Sequence, residues 1–212
     1  MSRLFKNETK RNEKILAICK AAAGLFNKQG YLETNMEDVA AAAKLSKGGI
    51  YHYFSAKHEI LFSILDHYLD VIINRLEEEL TKLGDPSSKI KFIISRHIAL
   101  YSRYSAESKA LLHDAHCLPD EYYRIIAKKE REYYRLVSGI LFEFFGDEVK
   151  LTKSKMKVMT FLLFGMCNWI YSWYHPRGPI KPYELSEMIW TVFLNGVHEY
   201  KAKGGVNRKI SG

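Results

Sequence analysis

Apolar positions recur at helical spacing along nearly the whole chain. No Val, Ile or Thr alternation runs long enough for a strand, so the pattern predicts an all-α fold of about nine helices. Ile15, Ile18, Cys19, Ala22, Leu25 and Phe26 form the first stripe, and Gly30 stands where a left-handed residue would close that helix. Asn35, with Asp38 three residues on, predicts a capping box at the start of a second short helix. Lys44 and Leu45 make a tight turn, and Ser46 caps a third helix that turns Ile50 and Phe54 inward. Ser55 is placed to cap a fourth helix running to Gly84, and Asp85-Pro86 opens a fifth. Further helices are predicted over 108–117, 120–145, 152–174 and 183–201, with no internal repeat and no low-complexity tract.

One segment, Val158 to Tyr174, carries no charge over 17 residues, the lower limit for crossing a bilayer. Its Thr160, Asn168, Ser172 and two tyrosines point to a buried helix instead, so no membrane is expected as a partner. A helix apolar all round must be covered on every side, here by core on one face and a second subunit on the other, which predicts a homodimer. The opening Met-Ser-Arg-Leu-Phe-Lys-Asn-Glu has no apolar signal-peptide core, and three scattered cysteines make no disulfide framework, so a cytoplasmic protein is expected.

The net charge of +8 is uneven: residues 1–58 hold ten Lys/Arg against five Asp/Glu. That concentration suits a polyanion and divides the chain into a head, 1–58, and a body, 59–212. Three short helices with a tight turn between the second and third match a helix-turn-helix, whose second member enters the DNA major groove, although an ordinary helical hairpin has the same spacing. Lys47, Tyr51, His52, Tyr53 and Lys57 add polar-tipped side chains, and no carboxylate occurs between Asp38 and Glu59. Gly48 and Gly49 weaken the start of the third helix by about 1 kcal/mol each relative to Ala, a cost that close approach of backbone to DNA would explain. No G-x-S-x-G, P-loop, H-E-x-x-H or C-x-x-C is present, so neither an enzyme nor a cofactor is expected.

The run "GYLETNMEDVAAAAKLSKGGIYHYFSAKHEIL" is similar to the DNA-binding signature of the TetR family of bacterial transcriptional regulators, with the match extending from Glu13 to Leu61. The resemblance implies a ligand-responsive repressor that binds a near-palindromic operator in double-stranded DNA as a homodimer. It implies that Asn35 caps the second helix and donates to a phosphate, with Thr34 beside it. It places Lys47, Gly48 and Tyr51 near bases, and Gly49, His52, Tyr53 and Lys57 mainly along the DNA backbone. Three positions depart from the pattern. Lys44 stands where Gly is usual and must take positive φ. Gly49 replaces a hydroxyl, so its phosphate contact is lost or passes to the backbone N–H. Ala56 replaces the small polar cap of the fourth helix.

In the body, "MCNWIYSWYHPRGPIKPYELSEMIWTVFLNGV" resembles the C-terminal segment of members that sense acyl-coenzyme A thioesters, which implies an acyl-CoA of lipid or aromatic-acid metabolism as effector. From the residues themselves, Phe161, Phe164, Trp169 and Trp173 can line an apolar cavity, with Arg103, His113, Asn168 and Arg177 as its polar contacts. The same rings equally suit core or dimer packing. Two alternatives stand beside this. His113, His116 and Cys117 in "HDAHC" fall at i, i+3, i+4 and are ligand types for Zn, Cu or Ni, as in a metal-responsive regulator. The chain also suits a helical ligand-binding dimer without specific DNA readout.

Overall fold

The first helix, α1 (Ser2–Gln29), stops where Gly30 takes φ +95° and returns its N–H to Phe26 O at 3.0 Å. The computed structural model describes residues 2–145 and 152–202, and every regular element among them is helical. After α1 come α2 (Met36–Ala42), α3 (Lys47–Tyr51), α4 (Lys57–Ile73), α5 (Leu76–Thr81) and α6 (Pro86–Arg103). They are followed by α7 (Ser105–His113), α8 (Asp120–Phe145), α9 (Lys153–Asn168) and α10 (Pro182–Ala202). No helix among the described residues is long and apolar enough to cross a membrane.

Three predicted helices are shorter than their apolar patterns suggest. The fourth does not run unbroken to Gly84, because Arg75 adopts φ +58° and separates α4 from α5. Arg96 of α6 supports this break, donating to Asn74 O at 3.0 Å and to the Glu79 carboxylate at 2.8 Å. The segment predicted over 108–117 ends as an α-helix at His113, and Ala115–Cys117 forms a separate 3-10 turn. The segment predicted over 152–174 likewise leaves α-geometry after Asn168, passing into a 3-10 turn at Trp169–Ser172. Ser55 does not accept an amide bond as a cap for α4. Its N–H and hydroxyl both donate to the Glu59 carboxylate, at 2.8 and 2.6 Å, and these bonds hold that carboxyl below its usual range.

The chain folds as two compact units, one of residues 1–71 with 104–129 and the other of 72–103 with 130–212. In the first, α1 buries Ile18, Ala22 and Phe26, while α3 and the turn after it bury Ile50 and Phe54. Helix α4 contributes Ile60, Leu61, Ile64 and Leu65 to the same interior. Helix α7 packs against α1 in this unit, where Lys109 donates to Asn27 O and Ser108 shares a buried hydroxyl hydrogen bond with Tyr68. Lys129 binds Asp66 and Asp70 together.

The second unit is built on α6, whose buried face of Ile90, Ile93, Ile94 and Ile98 lies against α10 and α9. Each such isoleucine contributes roughly 1.5–3 kcal/mol through burial. Val137, Leu141 and Phe145 of α8 complete the same core.

Lys44, in the turn between α2 and α3, has the positive φ that its sequence context requires, +56°. Left-handed geometry costs a residue with a Cβ about 1–2 kcal/mol, part of which the greater freedom of glycine in the unfolded chain takes back. Lys44→Gly should therefore raise stability by roughly 0.5–1 kcal/mol. A fall in the denaturant midpoint of that variant would show that the turn is not strained.

Candidate functional site

The helix-turn-helix lies wholly in the first unit, and its caps fix it. Asn35 Oδ1 accepts from Asp38 N–H at 2.9 Å and Asp38 Oδ2 accepts from Asn35 N–H at 3.0 Å, the reciprocal box that the spacing predicts. The turn closes with Lys44 N–H on Ala41 O at 3.1 Å and Leu45 N–H on Ala40 O at 2.8 Å. Ser46 then caps α3, its Oγ accepting from Gly49 N–H at 3.1 Å.

The two glycines have different surroundings. A Cβ on Gly48 would meet nothing within 4 Å, so this position is open. A Cβ on Gly49 would lie 3.2 Å from Ser46 Oγ and 3.6 Å from Leu45 Cβ, so the missing side chain makes room for the cap. The Gly49 amide is engaged by that cap and is not free to take over a phosphate contact.

Ile50 and Phe54 anchor α3 from below, leaving Lys47, Tyr51 and His52 exposed. Lys47 Nζ lies 2.7 Å from the Glu37 carboxylate of α2, with both side chains largely in solvent. Their hydrogen bond holds the Glu37 carboxyl down and the Lys47 ammonium up. His52 meets the half-buried Tyr53 edge to face, with centroids 5.2 Å apart. Asn35 is exposed beside them, and beyond its capping oxygen its side chain still has an NH2 donor.

Two residues of the predicted DNA set are placed differently. Thr34 is buried at 1 % exposure and its hydroxyl donates to Gly30 O at 2.7 Å. Lys57 turns inward, and its ammonium donates to Tyr31 O, Leu32 O and Thr34 O at 2.7, 3.1 and 2.7 Å.

In the second unit, α6, α8 and α9 bring His97, Tyr133, Phe164 and Asn168 together. His97 Nδ1 is 3.4 Å from Tyr133 Oη, the Tyr133 and Phe164 rings are 5.6 Å apart, and Asn168 hydrogen-bonds His97. Burial pushes the His97 imidazole down to about 4, against the Asn168 bond that favours the cation. His97 is therefore neutral at pH 7. Phe164 and Asn168 were predictable from the α9 pattern. His97 and Tyr133 were missed, although a histidine four residues after Ile93 on the apolar stripe of α6 is a readable signal.

Because the native pKa of His97 lies below its ordinary 6.5, the unfolded chain takes up the proton first as pH falls. Stability is thus complete above about pH 6.5 and lost toward pH 4, at up to about 1.4 kcal/mol per pH unit. His97→Gln should flatten this part of the curve of Tm against pH, and an unchanged slope would rule out His97 as its source.

The remaining effector candidates of the second unit do not gather at this cluster. Phe161 is 55 % exposed with its ring 5.4 Å from that of Tyr134, and Trp169 and Trp173 are 62 % and 56 % exposed. Arg177 is exposed in a turn closed by Gly178 N–H on His175 O at 2.8 Å. Gly178 is required there, since a Cβ would come within 2.9 Å of that carbonyl. Arg103 is exposed at the end of α6, and the exposed His113 belongs to the first unit.

The metal alternative loses its geometry. His113 ends α7, Asp114 follows, and His116 and Cys117 lie in a 3-10 turn, so the three do not share one α-helical face. No group of three or more His, Cys, Asp or Glu among the described residues is arranged to hold a metal ion. Cys19 and Cys167 are buried free thiols, pushed up to about 12 by burial.

Two family models match most of the chain. Residues 18–64 match the family described as bacterial regulatory proteins, tetR family, and residues 83–197, more than half of the chain, match the tetracyclin repressor-like C-terminal domain. The HTH-type transcriptional repressor KstR2 of Mycobacterium tuberculosis H37Rv is 20 % identical over 183 residues, covering 85 % of this chain and 90 % of that protein. A TetR-family transcriptional regulator from Bordetella parapertussis has a crystal structure with TM-score 0.82 at 29 % identity, covering 85 % of this chain and 94 % of that one. The structure of AibR in complex with isovaleryl coenzyme A and operator DNA has TM-score 0.74 at 24 % identity, covering 84 % and 97 % of the two chains.

Proposed function

The chain belongs to the tetR family of bacterial regulatory proteins, a transcriptional regulator and not an enzyme, and we propose that it is a cytoplasmic repressor released from its operator by an acyl-CoA. The observation that carries DNA reading is α3 itself. It is held by the Ser46 cap and by Ile50 and Phe54, and it presents Lys47, Tyr51 and the open Gly48 to solvent. A helix fixed in this way needs little reordering to enter the major groove, where side chains near its N-terminus meet base edges. DNA contact is assigned to residues 1–58, and effector binding and dimerisation to 59–212.

Dimerisation is supported by an exposed apolar stripe on α9. Val158, Phe161 and Leu162 recur at helical spacing and are each more than half exposed, as is Trp169 in the 3-10 turn that follows. The neighbouring α10 exposes Met188 and Val192. Gly165 and Gly196 are exposed on these two helices with nothing near their Cβ positions, which permits close approach of a second copy. Two-fold pairing would then set two α3 helices on successive half-sites of a near-palindrome.

The acyl-CoA assignment draws on the chemistry of the His97–Tyr133–Phe164–Asn168 cluster. Its imidazole, neutral at pH 7, and the Asn168 amide are set among rings, which suits an uncharged thioester carbonyl with an apolar chain. The exposed Arg177 and Lys181 add basic groups suited to coenzyme phosphates. AibR, whose structure contains isovaleryl coenzyme A, gives a precedent for that ligand class on this fold.

The test is a thermal-shift series with acyl-CoA esters, free coenzyme A and divalent metals, followed by DNA release. Stabilisation by an acyl ester well above that by free coenzyme A is expected, with loss of operator binding at the same concentrations. Stabilisation by metal alone would overturn the assignment.

A further inference from the structure

The ammonium of Lys57, at the start of α4, has three N–H donors, and all three are used inside the protein. They converge on Tyr31 O, Leu32 O and Thr34 O at 2.7, 3.1 and 2.7 Å, reaching back 23 to 26 residues. The same Nζ stands 4.4 Å from the centroid of the Tyr31 ring, which also pairs edge to face with Phe26 at 5.0 Å. The three carbonyls belong to the turn that begins at Gly30 and ends at Asn35, the cap of α2. Thr34 holds the same turn from within through its hydroxyl on Gly30 O.

A phosphate could engage Lys57 only by taking a donor away from one of these carbonyls. That exchange replaces one charge-assisted bond with another and pulls the ammonium from a seat in which the bonds to Tyr31 O and Thr34 O are part-buried, so it gains little. The geometry suits a clamp that fixes the entry of α2, and with it Asn35 and the direction in which α3 leaves the turn.

We propose that Lys57 is a positioning residue for DNA reading, clamping the 30–34 turn beneath α2 instead of contacting DNA. This rests on the operator-reading function proposed above, and it replaces the phosphate contact that the family resemblance implies for this residue.

The test compares wild type, Lys57→Ala and Lys57→Arg by thermal melting, by affinity for operator and random duplex well below the Tm, and by the salt dependence of both affinities. Lys57→Ala should lower Tm by roughly 5–10 °C. It should weaken operator binding by roughly tenfold or more while leaving random-duplex affinity and the salt slope unchanged, because no phosphate contact is lost. Lys57→Arg keeps the charge, but its planar fork does not match three converging carbonyls, so it should behave like the alanine variant.

A salt slope shallower by about 0.9 in Lys57→Ala, with equal weakening on both duplexes, would make Lys57 a phosphate contact and overturn the proposal. Loss of Tm with an unchanged operator-to-random ratio would overturn it in favour of a purely structural role. Full rescue by Lys57→Arg would overturn the clamp geometry. If wild type itself shows no operator preference, the DNA-reading function fails, while the melting of the two variants still reports whether the clamp exists.

Discussion

Leu162→Glu is expected to convert the protein to a monomer in solution and to weaken operator binding by roughly 10²–10⁴-fold, the advantage that linkage of two binding heads confers. Leu162 is 55 % exposed on the α9 stripe, beside Val158 and Phe161. In a two-fold interface a single substitution enters twice, so two carboxylates would be brought into an apolar contact surface. The monomer should keep its fold, because Leu162 lies outside the core that α9 builds with Met156, Leu163 and Cys167. Analytical ultracentrifugation with a far-UV spectrum checks both points. A variant that stays dimeric with wild-type affinity would remove this face from the interface.

Lys47→Ala should weaken operator binding by about 1–3 kcal/mol, the range for a good base contact, and should lower the operator-to-random ratio. Stability should hardly change, because Lys47 pairs with the solvent-exposed Glu37 carboxylate at 2.7 Å, and exposed ion pairs contribute little. The same pair makes the prediction asymmetric. Glu37 must release Lys47 before the ammonium meets DNA, so Glu37→Gln should strengthen binding to any duplex, whereas Lys47→Ala discriminates between sequences. Equal weakening of Lys47→Ala on operator and random DNA, measured by fluorescence anisotropy, would reduce Lys47 to a phosphate contact.

Local chemistry was the legible part of this chain. Asn35 with Asp38, Ser46 before two glycines and Gly30 after the α1 stripe all act within four residues, and each is found where the spacing puts it, while Lys44 has the positive φ that the family resemblance implies. Features set by distant partners were not legible. The break at Arg75 depends on Arg96, which lies 21 residues further on and carries no sign of that role in the apolar pattern. Lys57 follows the family spacing for a DNA contact, yet three carbonyls more than twenty residues earlier claim its donors. His113, His116 and Cys117 look like neighbours on a helix only if the helix continues, and Asp114 ends it. His97 and Tyr133 lie 36 residues apart on different helices, and only the fold joins them. For the run from Val158 to Tyr174 the absence of charge was readable, and so was the need for cover on two sides; the division of α9 into a buried face and an exposed stripe required the structure.

The central claim, that α3 of this chain reads a specific DNA sequence, is tested most directly by titrating wild-type protein against duplex from upstream of its own gene and against random duplex at about 0.15 M salt. The account predicts a preference of at least about 10³-fold for one segment of the upstream DNA, the lower bound typical of specific regulators. Equal affinity for the two duplexes would contradict it.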